Sequence, residues 1–155
     1  MIVIVGVEGL SGSRASIRLA AREATYRGSN LIAVITHSTE RAPAAPAARP
    51  PGSMRTATDG QVAAETQLRD AVVDALGERA PQVELRVLPG LAGRVLVDLA
   101  RDRGAELIVL AARNTDAHLL GDMSQYVLRH APCPVLIVPD DAAVPDDTEV
   151  ADDLA

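Results

Sequence analysis

The chain has 155 residues, of which 48% are hydrophobic, and a formal net charge of −6, which suits one domain with a sizeable core and is too short for two. Only Tyr26 and Tyr126 are aromatic, and residues 1–139 hold 15 Arg against 14 acidic side chains, since seven of the 21 acidic residues lie in 140–155. Binding of nucleic acid through base stacking or through a strongly basic surface is therefore excluded. The absence of lysine excludes Schiff-base chemistry.

Cys133 is the single cysteine, so the chain forms no internal disulfide and a reducing, cytoplasmic location is expected. No apolar run approaches the roughly 20 residues that cross a bilayer, and no leader pattern opens the sequence, so no membrane contact is predicted. The three histidines share no spacing typical of a metal site, and no metal is predicted.

The first part of the chain alternates strands and helices. Residues 2–7 are an apolar, β-branched run that predicts a central strand buried on both faces. Residues 15–27 carry apolar and arginine side chains on different faces, which predicts an amphipathic helix capped within residues 11–13 and closed by Gly28. Residues 31–35 predict a second buried strand.

A proline-rich stretch over residues 37–60 is expected to be a mobile excursion, because proline denies the backbone helix and ladder hydrogen bonds. Residues 61–79 regain helical periodicity, and residues 83–88 alternate as a strand near a sheet edge does. The apolar face expected for this helix consists of Val62, Leu68, Val72, Val73 and Leu76.

The remaining segments complete the alternation. A helix is predicted over residues 91–103, a strand over 106–110, a helix over 122–130 and a strand over 135–138. The order specifies an α/β fold with an open, doubly wound, five-stranded parallel sheet and helices on both faces. We expect one domain over residues 1–139, followed by a solvated, disordered acidic tail over 140–155.

A small-molecule site is expected after the fourth strand. In a parallel sheet the loops at the carboxyl ends of the strands share one edge, and the helix that follows presents its amino terminus there. The loop that ends at Gly121, just before the helix at Asp122, is therefore the candidate site.

Three segments resemble the universal stress protein family: IVIVGVEGLSGSRASIRLAAREATYRG, LARDRGAELIVL and LLGDMSQYVLRHAPCPVLIVP. The resemblance implies the strand order 3-2-1-4-5 and a homodimer through the last strand. An apolar edge strand needs covering, which independently favours that dimer. The strand consists of Val135, Leu136, Ile137 and Val138.

Many members of that family bind ATP through Gly, two residues, Gly, nine residues, then Gly followed by Ser or Thr. Here Ala111 and Asn114 replace the first two glycines, and Arg113 lies between them. Only six residues, instead of nine, separate Asn114 from Gly121. Asp122 stands in place of the hydroxyl residue, whereas Gly121, Met123 and Ser124 keep the pattern.

These departures from the ATP-binding pattern disfavour phosphate binding. A carboxylate at the start of a helix gains about 0.3–1 kcal/mol from the helix dipole. Against a phosphate about 4 Å away it is repelled by roughly 4 kcal/mol at an effective dielectric of about 20. We therefore predict that ATP binding is weak or absent and that Asp122 itself occupies the anion position.

The nucleoside end of the site keeps more of the pattern. The resemblance implies that Glu8 contacts a ribose and that the backbone at Thr36 contacts adenine, although Glu8 serves equally well as a cap for the first helix. The candidate ligand-binding residues are Glu8, Gly9, Thr36, Ala111, Arg113, Asn114, Gly121, Asp122, Met123 and Ser124.

Two functions follow from these residues. The first is a non-enzymatic, dimeric interaction module of the stress response that has lost ATP binding, needs no cofactor, and acts through a protein partner. The alternative is an adenine-nucleotide switch, with ATP or AMP as ligand and slow hydrolysis through an altered phosphate loop.

Overall fold

A computed structural model describes residues 1–8, 13–37, 57–112, 120–140 and 142–144. Within these ranges five strands alternate with helices. The elements are β1 (Ile2–Gly6), α1 (Arg14–Arg27), β2 (Asn30–His37), α2 (Ala57–Leu76), a 3-10 helix (Gly77–Gln82), β3 (Glu84–Pro89), α3 (Ala92–Arg103), β4 (Leu107–Ala112), α4 (Asp122–His130) and β5 (Val135–Pro139).

The five strands form one parallel sheet in the order β3-β2-β1-β4-β5, as predicted. β1 lies at the centre and pairs with β2 on one side and β4 on the other, so that Ile4 faces both Ile32 and Ile108. Val3, Ile4 and Val5 are fully buried. An uninterrupted apolar run is what a strand covered on both faces requires.

The core is divided between the two faces of the sheet because successive strand side chains point in opposite directions. Val3 and Val5 of β1 belong to the cluster that contains the buried residues of α1 and α2. Ile4 belongs to the cluster that contains those of α3 and α4. The predicted arrangement of helices on both faces is confirmed.

Helix α1 ends as the sequence predicts and begins differently. Gly28 adopts a left-handed conformation with φ 62°, and the N–H of Ser29 donates to the carbonyl of Ala24 at 2.8 Å, which closes the helix. Ser13 is the N-cap residue, but its hydroxyl accepts a hydrogen bond from the N–H of Glu8 at 3.2 Å. The predicted side-chain cap is therefore wrong at Ser13, whose hydroxyl instead binds the chain after β1.

Helix α2 differs from the predictions in its bounds and in its buried face. It begins at Ala57, inside the stretch predicted to be an excursion, and ends at Leu76, after which the chain turns into the 3-10 helix. Val62 and Val73, predicted to be buried, are 56% and 52% exposed. The buried positions are Ala64, Leu68, Ala71 and Val72. Small alanine side chains face the core, and the helix is rotated away from the two valines.

Two further boundaries differ from the predictions. β2 continues to His37, which pairs with Pro89 of β3, because the sheet ladder extends beyond the apolar run. Ala142 and Val144 are half-buried against the α1 and α2 cluster, so the start of the tail is not fully solvated. The rest of the predicted excursion, residues 38–56, and residues 141 and 145–155 lie outside the described residues.

The two edge strands have different surroundings. On β3, the carboxylate of Glu84 accepts hydrogen bonds from Arg86 of the same strand at 2.7 Å and from Arg103 of α3 at 3.3 Å. On β5, Val135, Leu136 and Ile137 are half-buried and Val138 is buried. β5 pairs with β4 alone among the described strands.

None of the helices within the described ranges is long and apolar enough to cross a membrane.

Candidate functional site

A cleft of about 240 Å³ lies at the carboxyl ends of the two central strands β1 and β2. Residues from three helices contribute the rest of its lining. The residues that line it are Gly6, Val7, Glu8, Val34, Ile35, Thr36, Gln67, Ala92, Leu96 and Met123. This edge of a doubly wound sheet is where ligands of such folds bind.

The end of β1 brings Glu8 to this edge. The N–H of Val7 donates to the carbonyl of Val34 at 2.8 Å, which continues the ladder between β1 and β2 past the last residue of β1. The N–H of Glu8 then donates to the Ser13 hydroxyl. These two bonds fix the backbone, so the Glu8 side chain is held at the cleft rather than in a freely moving loop.

Gly6 forms the floor of the cleft. A Cβ atom at this position would lie 3.0 Å from a methyl carbon of Leu110 and 3.0 Å from a methyl carbon of Leu96. Almost any side chain at position 6 would displace those leucines. The glycine therefore lets Leu96, itself a lining residue, pack directly against the end of β1.

The wall formed by α3 and α4 depends on a second close approach. A Cβ atom at Gly93 would lie 3.2 Å from Cβ of Tyr126 and 3.3 Å from the carbonyl oxygen of Met123. The two helices therefore pack with little space between them, which places Leu96 of α3 and Met123 of α4 on the same wall. Tyr126 stacks on His130, with ring centroids 4.2 Å apart.

Helix α4 begins at the same edge. Gly121 is the N-cap residue, and the N–H of Gln125 donates to its carbonyl at 3.0 Å. Asp122 is the first residue of the helix and is exposed. Its carboxylate lies at the positive end of the helix dipole, which stabilises a negative charge. The predicted start of this helix at Asp122 is confirmed.

The structure brings three of the predicted site residues together at the cleft, namely Glu8, Thr36 and Met123. The other predicted residues within the described ranges do not line it. Ala111 lies in β4 opposite Val138, and Ser124 is 5% exposed on the buried face of α4. Gly121 and Asp122 lie at the start of α4. Gly9, Arg113 and Asn114 lie outside the described residues.

Sequence analysis missed Gln67 and the apolar wall. Ala92 and Leu96 belong to the first half of α3, which begins at the same edge as α4, so the alternation of elements offered a signal for them. The sequence offers no such signal for Gln67. It lies in the middle of α2, more than a turn from either end of the helix, and only the packing of α2 brings it to the cleft.

The described lining is apolar with few polar side chains. Glu8 is its only ionisable side chain, and Thr36 and Gln67 supply a hydroxyl and an amide. Such a surface suits a small ligand that has both apolar and hydrogen-bonding groups. Among the described residues there is no group of three or more His, Cys, Asp or Glu side chains that could hold a metal ion.

Cys133 lies at the opposite end of α4, in the turn before β5. Burial raises the pKa of its thiol above the ordinary value, which disfavours the reactive thiolate. The cysteine therefore has the properties of a packing residue.

The fold is that of a doubly wound α/β protein, with a cleft at the carboxyl ends of β1 and β2. A sequence profile of the universal stress protein family matches residues 1–139. The chain belongs to the universal stress protein family. It is 33% identical over 146 residues to universal stress protein Rv2623 of Mycobacterium tuberculosis, covering 92% of this chain and 48% of that protein. The chain thus spans about half the length of this curated relative.

Solved structures support the same assignment. A universal stress protein from Archaeoglobus fulgidus has a TM-score of 0.67 and 25% identity, over 89% of this chain and 93% of that one. A universal stress protein from Archaeoglobus fulgidus in complex with dAMP has a TM-score of 0.62 and 23% identity, over 89% of this chain and 97% of that one. The second likeness concerns the fold alone.

Proposed function

We propose that the cleft binds an adenosine-like molecule, that phosphate groups weaken this binding, and that the chain is a non-enzymatic binding module of the stress response. The observation that carries the proposal is the charge of the site. Glu8 is the only ionisable side chain in the described lining, and Asp122 is the first residue of α4 at the same edge of the sheet.

Several features support a nucleoside as the ligand. Val34, Leu96 and Met123 provide apolar surface for a ring, and the Glu8 carboxylate can accept hydrogen bonds from ribose hydroxyls. The cleft volume of about 240 Å³ is below the range of roughly 300–1,000 Å³ typical of drug-sized ligands, which favours a small molecule. A universal stress protein of the same fold is in complex with dAMP.

The two carboxylates argue against a strong contribution from phosphate. A helix amino terminus attracts anions through its free N–H groups and its dipole. Asp122 places a negative charge at that position in α4, and a phosphate docked there would be repelled. Glu8 adds a second negative charge at the cleft. The nucleoside therefore supplies most of the expected affinity.

A second function has one observation in its favour. The dAMP in the related complex is a nucleotide, and α4 begins at the edge where a phosphate would lie. An adenine-nucleotide switch with an altered phosphate loop is the competing proposal. The two differ in the order of affinities, since a switch binds ATP more tightly than adenosine.

Isothermal titration with adenosine, AMP and Mg-ATP tests the proposal. We expect adenosine to bind more tightly than Mg-ATP. Asp122→Ser removes the repulsion. Because Asp122 is exposed and water screens its charge, the affinity for AMP and Mg-ATP should rise by at least about tenfold, while that for adenosine stays unchanged. Asp70→Ser is the matched control, because Asp70 is an exposed acid on α2 outside the lining. A dissociation constant for Mg-ATP below about 10 μM in the unmodified protein would overturn the proposal.

The module is proposed to be a homodimer formed through β5. This strand is at the end of the sheet, and its side chains are uncharged and mostly half-buried. An apolar edge strand with unpaired N–H and carbonyl groups is a template for pairing with another strand. A second copy of the chain offers the same strand in a two-fold symmetric contact.

A further inference from the structure

Gln67 reaches the cleft from the layer opposite to α3 and α4. It lies on α2, which packs with α1 on one face of the sheet, whereas Leu96 and Met123 belong to the helices on the other face. The next residue, Leu68, is 0% exposed within the α1 and α2 core. The backbone that carries Gln67 is therefore held firmly, and Gln67 lines the cleft from this helix.

Two other glutamines are engaged within or beside their own helices. Gln61, on the same helix, donates from Nε2 to the carboxylate of Glu65 at 3.2 Å. Gln125 of α4 donates from Nε2 to the carbonyl of Leu120 at 2.7 Å. Gln67 instead lines the cleft, as Glu8 and Thr36 do.

We infer that Gln67 selects adenine by binding the edge of the base that carries the N6 amino group and N7. Its carbonyl oxygen accepts a hydrogen bond from N6, and its amide donates one to N7, which is the paired contact that Gln makes with adenine. The inference rests on the proposed function and deepens it, because it names the residue that distinguishes one base from another.

The remaining lining is compatible with a base in that position. Val34 and Leu96 contribute apolar atoms to the lining, and Glu8 lines the same cleft. Hypoxanthine, the base of inosine, has an oxygen in place of the N6 amino group and so presents two acceptors to Gln67. The amide can then satisfy only one of them, and the carbonyl oxygen of Gln67 faces another acceptor.

The ratio of the affinities for adenosine and inosine measures the strength of the proposed contact between Gln67 and adenine. A paired contact of this kind contributes roughly 1–3 kcal/mol of discrimination, which corresponds to about 5- to 150-fold in affinity. We expect the unmodified chain to bind adenosine at least about fivefold more tightly than inosine.

The experiment is a titration of the ¹⁵N-labelled full chain with each nucleoside, followed by NMR. Adenosine should shift the side-chain NH₂ resonances of Gln67. Gln67→Leu should lower the affinity for adenosine by at least about fivefold and bring the ratio of adenosine to inosine affinities close to one. Gln67 is exposed, so leucine at this position leaves the core unchanged. Gln61→Leu is the matched control and should retain both affinities.

The outcomes separate the inference from the proposed function. If adenosine binds and Gln67→Leu leaves the adenosine to inosine ratio unchanged, Gln67 does not select the base and the inference is wrong, while the nucleoside site stands. If the unmodified chain binds neither nucleoside, the proposed function fails and the inference fails with it. Loss of the preference in Gln61→Leu as well would show that the effect comes from α2 as a whole, which also overturns the inference.

Discussion

The two edges of the sheet are built from different kinds of residue. β3 carries Glu84 and Arg86 and ends in Pro89. β5 has no charged residue in its range, and the four residues before its final proline are aliphatic. Charged side chains oppose the addition of another strand, whereas an uncharged aliphatic edge permits it. Both strands end in proline, so the difference lies in the charges: β3 carries Glu84 and Arg86, and β5 carries no charged residue.

The charges on β3 also connect that edge to its neighbour helix. Arg103 lies in the last turn of α3 and donates to both carboxylate oxygens of Glu84 through its two terminal nitrogens at 3.3 Å. Arg86 donates to the same carboxylate. The same acidic side chain, that of Glu84, therefore both protects the β3 edge and attaches α3 to it. At β5 the equivalent surface is aliphatic and gains its stability from burial.

The largest effect is expected from a charge placed on β5. Ile137→Lys should weaken the proposed homodimer by at least about a hundredfold, because two-fold symmetry brings in two lysines and a desolvated unpaired charge costs several kcal/mol. Sedimentation velocity over a range of concentrations measures the change. The unmodified chain should sediment as a dimer at micromolar concentration.

Leu85→Lys is the control on the opposite edge. Leu85 is 37% exposed on β3, and a lysine there should leave the dimer intact. Circular dichroism verifies that both variants fold. If the unmodified chain is monomeric at about 100 μM, or if both lysines disrupt the dimer equally, the proposed role of β5 is wrong.

A smaller effect is expected from Glu84→Gln. Hydrogen bonds from Arg103, and next from Arg86, hold the pKa of Glu84 below its ordinary value of 4.5. The carboxylate is 40% exposed, so its contribution to the free energy of unfolding is at most about 1 kcal/mol. Because the folded pKa is lowered, this contribution is complete above pH 4.5 and is lost as the pH falls through the folded pKa.

Urea unfolding of the unmodified chain and Glu84→Gln at several pH values tests this expectation. The difference in unfolding free energy should be constant near neutral pH and should shrink below pH 4.5. A difference that grows as the solution is acidified would contradict the assignment of the pKa shift to the two arginines. Arg69→Gln, an exposed arginine on α2, controls for the loss of an ordinary surface charge.

The smallest effect is expected from Leu85→Thr. The side chain lies on the protected edge and is already partly exposed, and threonine favours the extended backbone. The free energy of unfolding should change by no more than about 0.5 kcal/mol. The same urea measurement tests it, and a loss above about 2 kcal/mol would mean that β3 depends on burial as β5 does.

The sequence was informative about the sheet because its central strands are unbroken apolar runs. β1 and β4 are buried on both faces, and their position in the fold follows from this pattern. It was less informative about α2. Hydrophobicity favoured Val62 and Val73 for the core, whereas the packed helix buries Ala64 and Ala71. Close approach between layers selects small side chains, and a periodicity based on large ones misses this.

The residues of the cleft were likewise only partly predictable from the sequence. Glu8 and Thr36 could be predicted because Glu8 comes just after β1 and Thr36 lies near the end of β2, and the carboxyl ends of parallel strands meet at one edge of a sheet. Gln67 could not, because it lies in the interior of a helix and its place at the cleft depends on how α2 packs across the sheet. Ser124 keeps the expected pattern in the sequence but faces the core, since the rotation of α4 is set by Val127.

Helix α4 connects the cleft to the open edge. Met123 in its first turn is a cleft residue, β5 begins five residues after its last residue, and Gly93 holds it tightly against α3. If the proposed ligand shifts Met123 and α4 carries that shift to β5, ligand binding would change the strength of the proposed dimer. Thermodynamic linkage would then require self-association to change ligand affinity by the same factor, so ligand affinity would depend on the concentration of the protein.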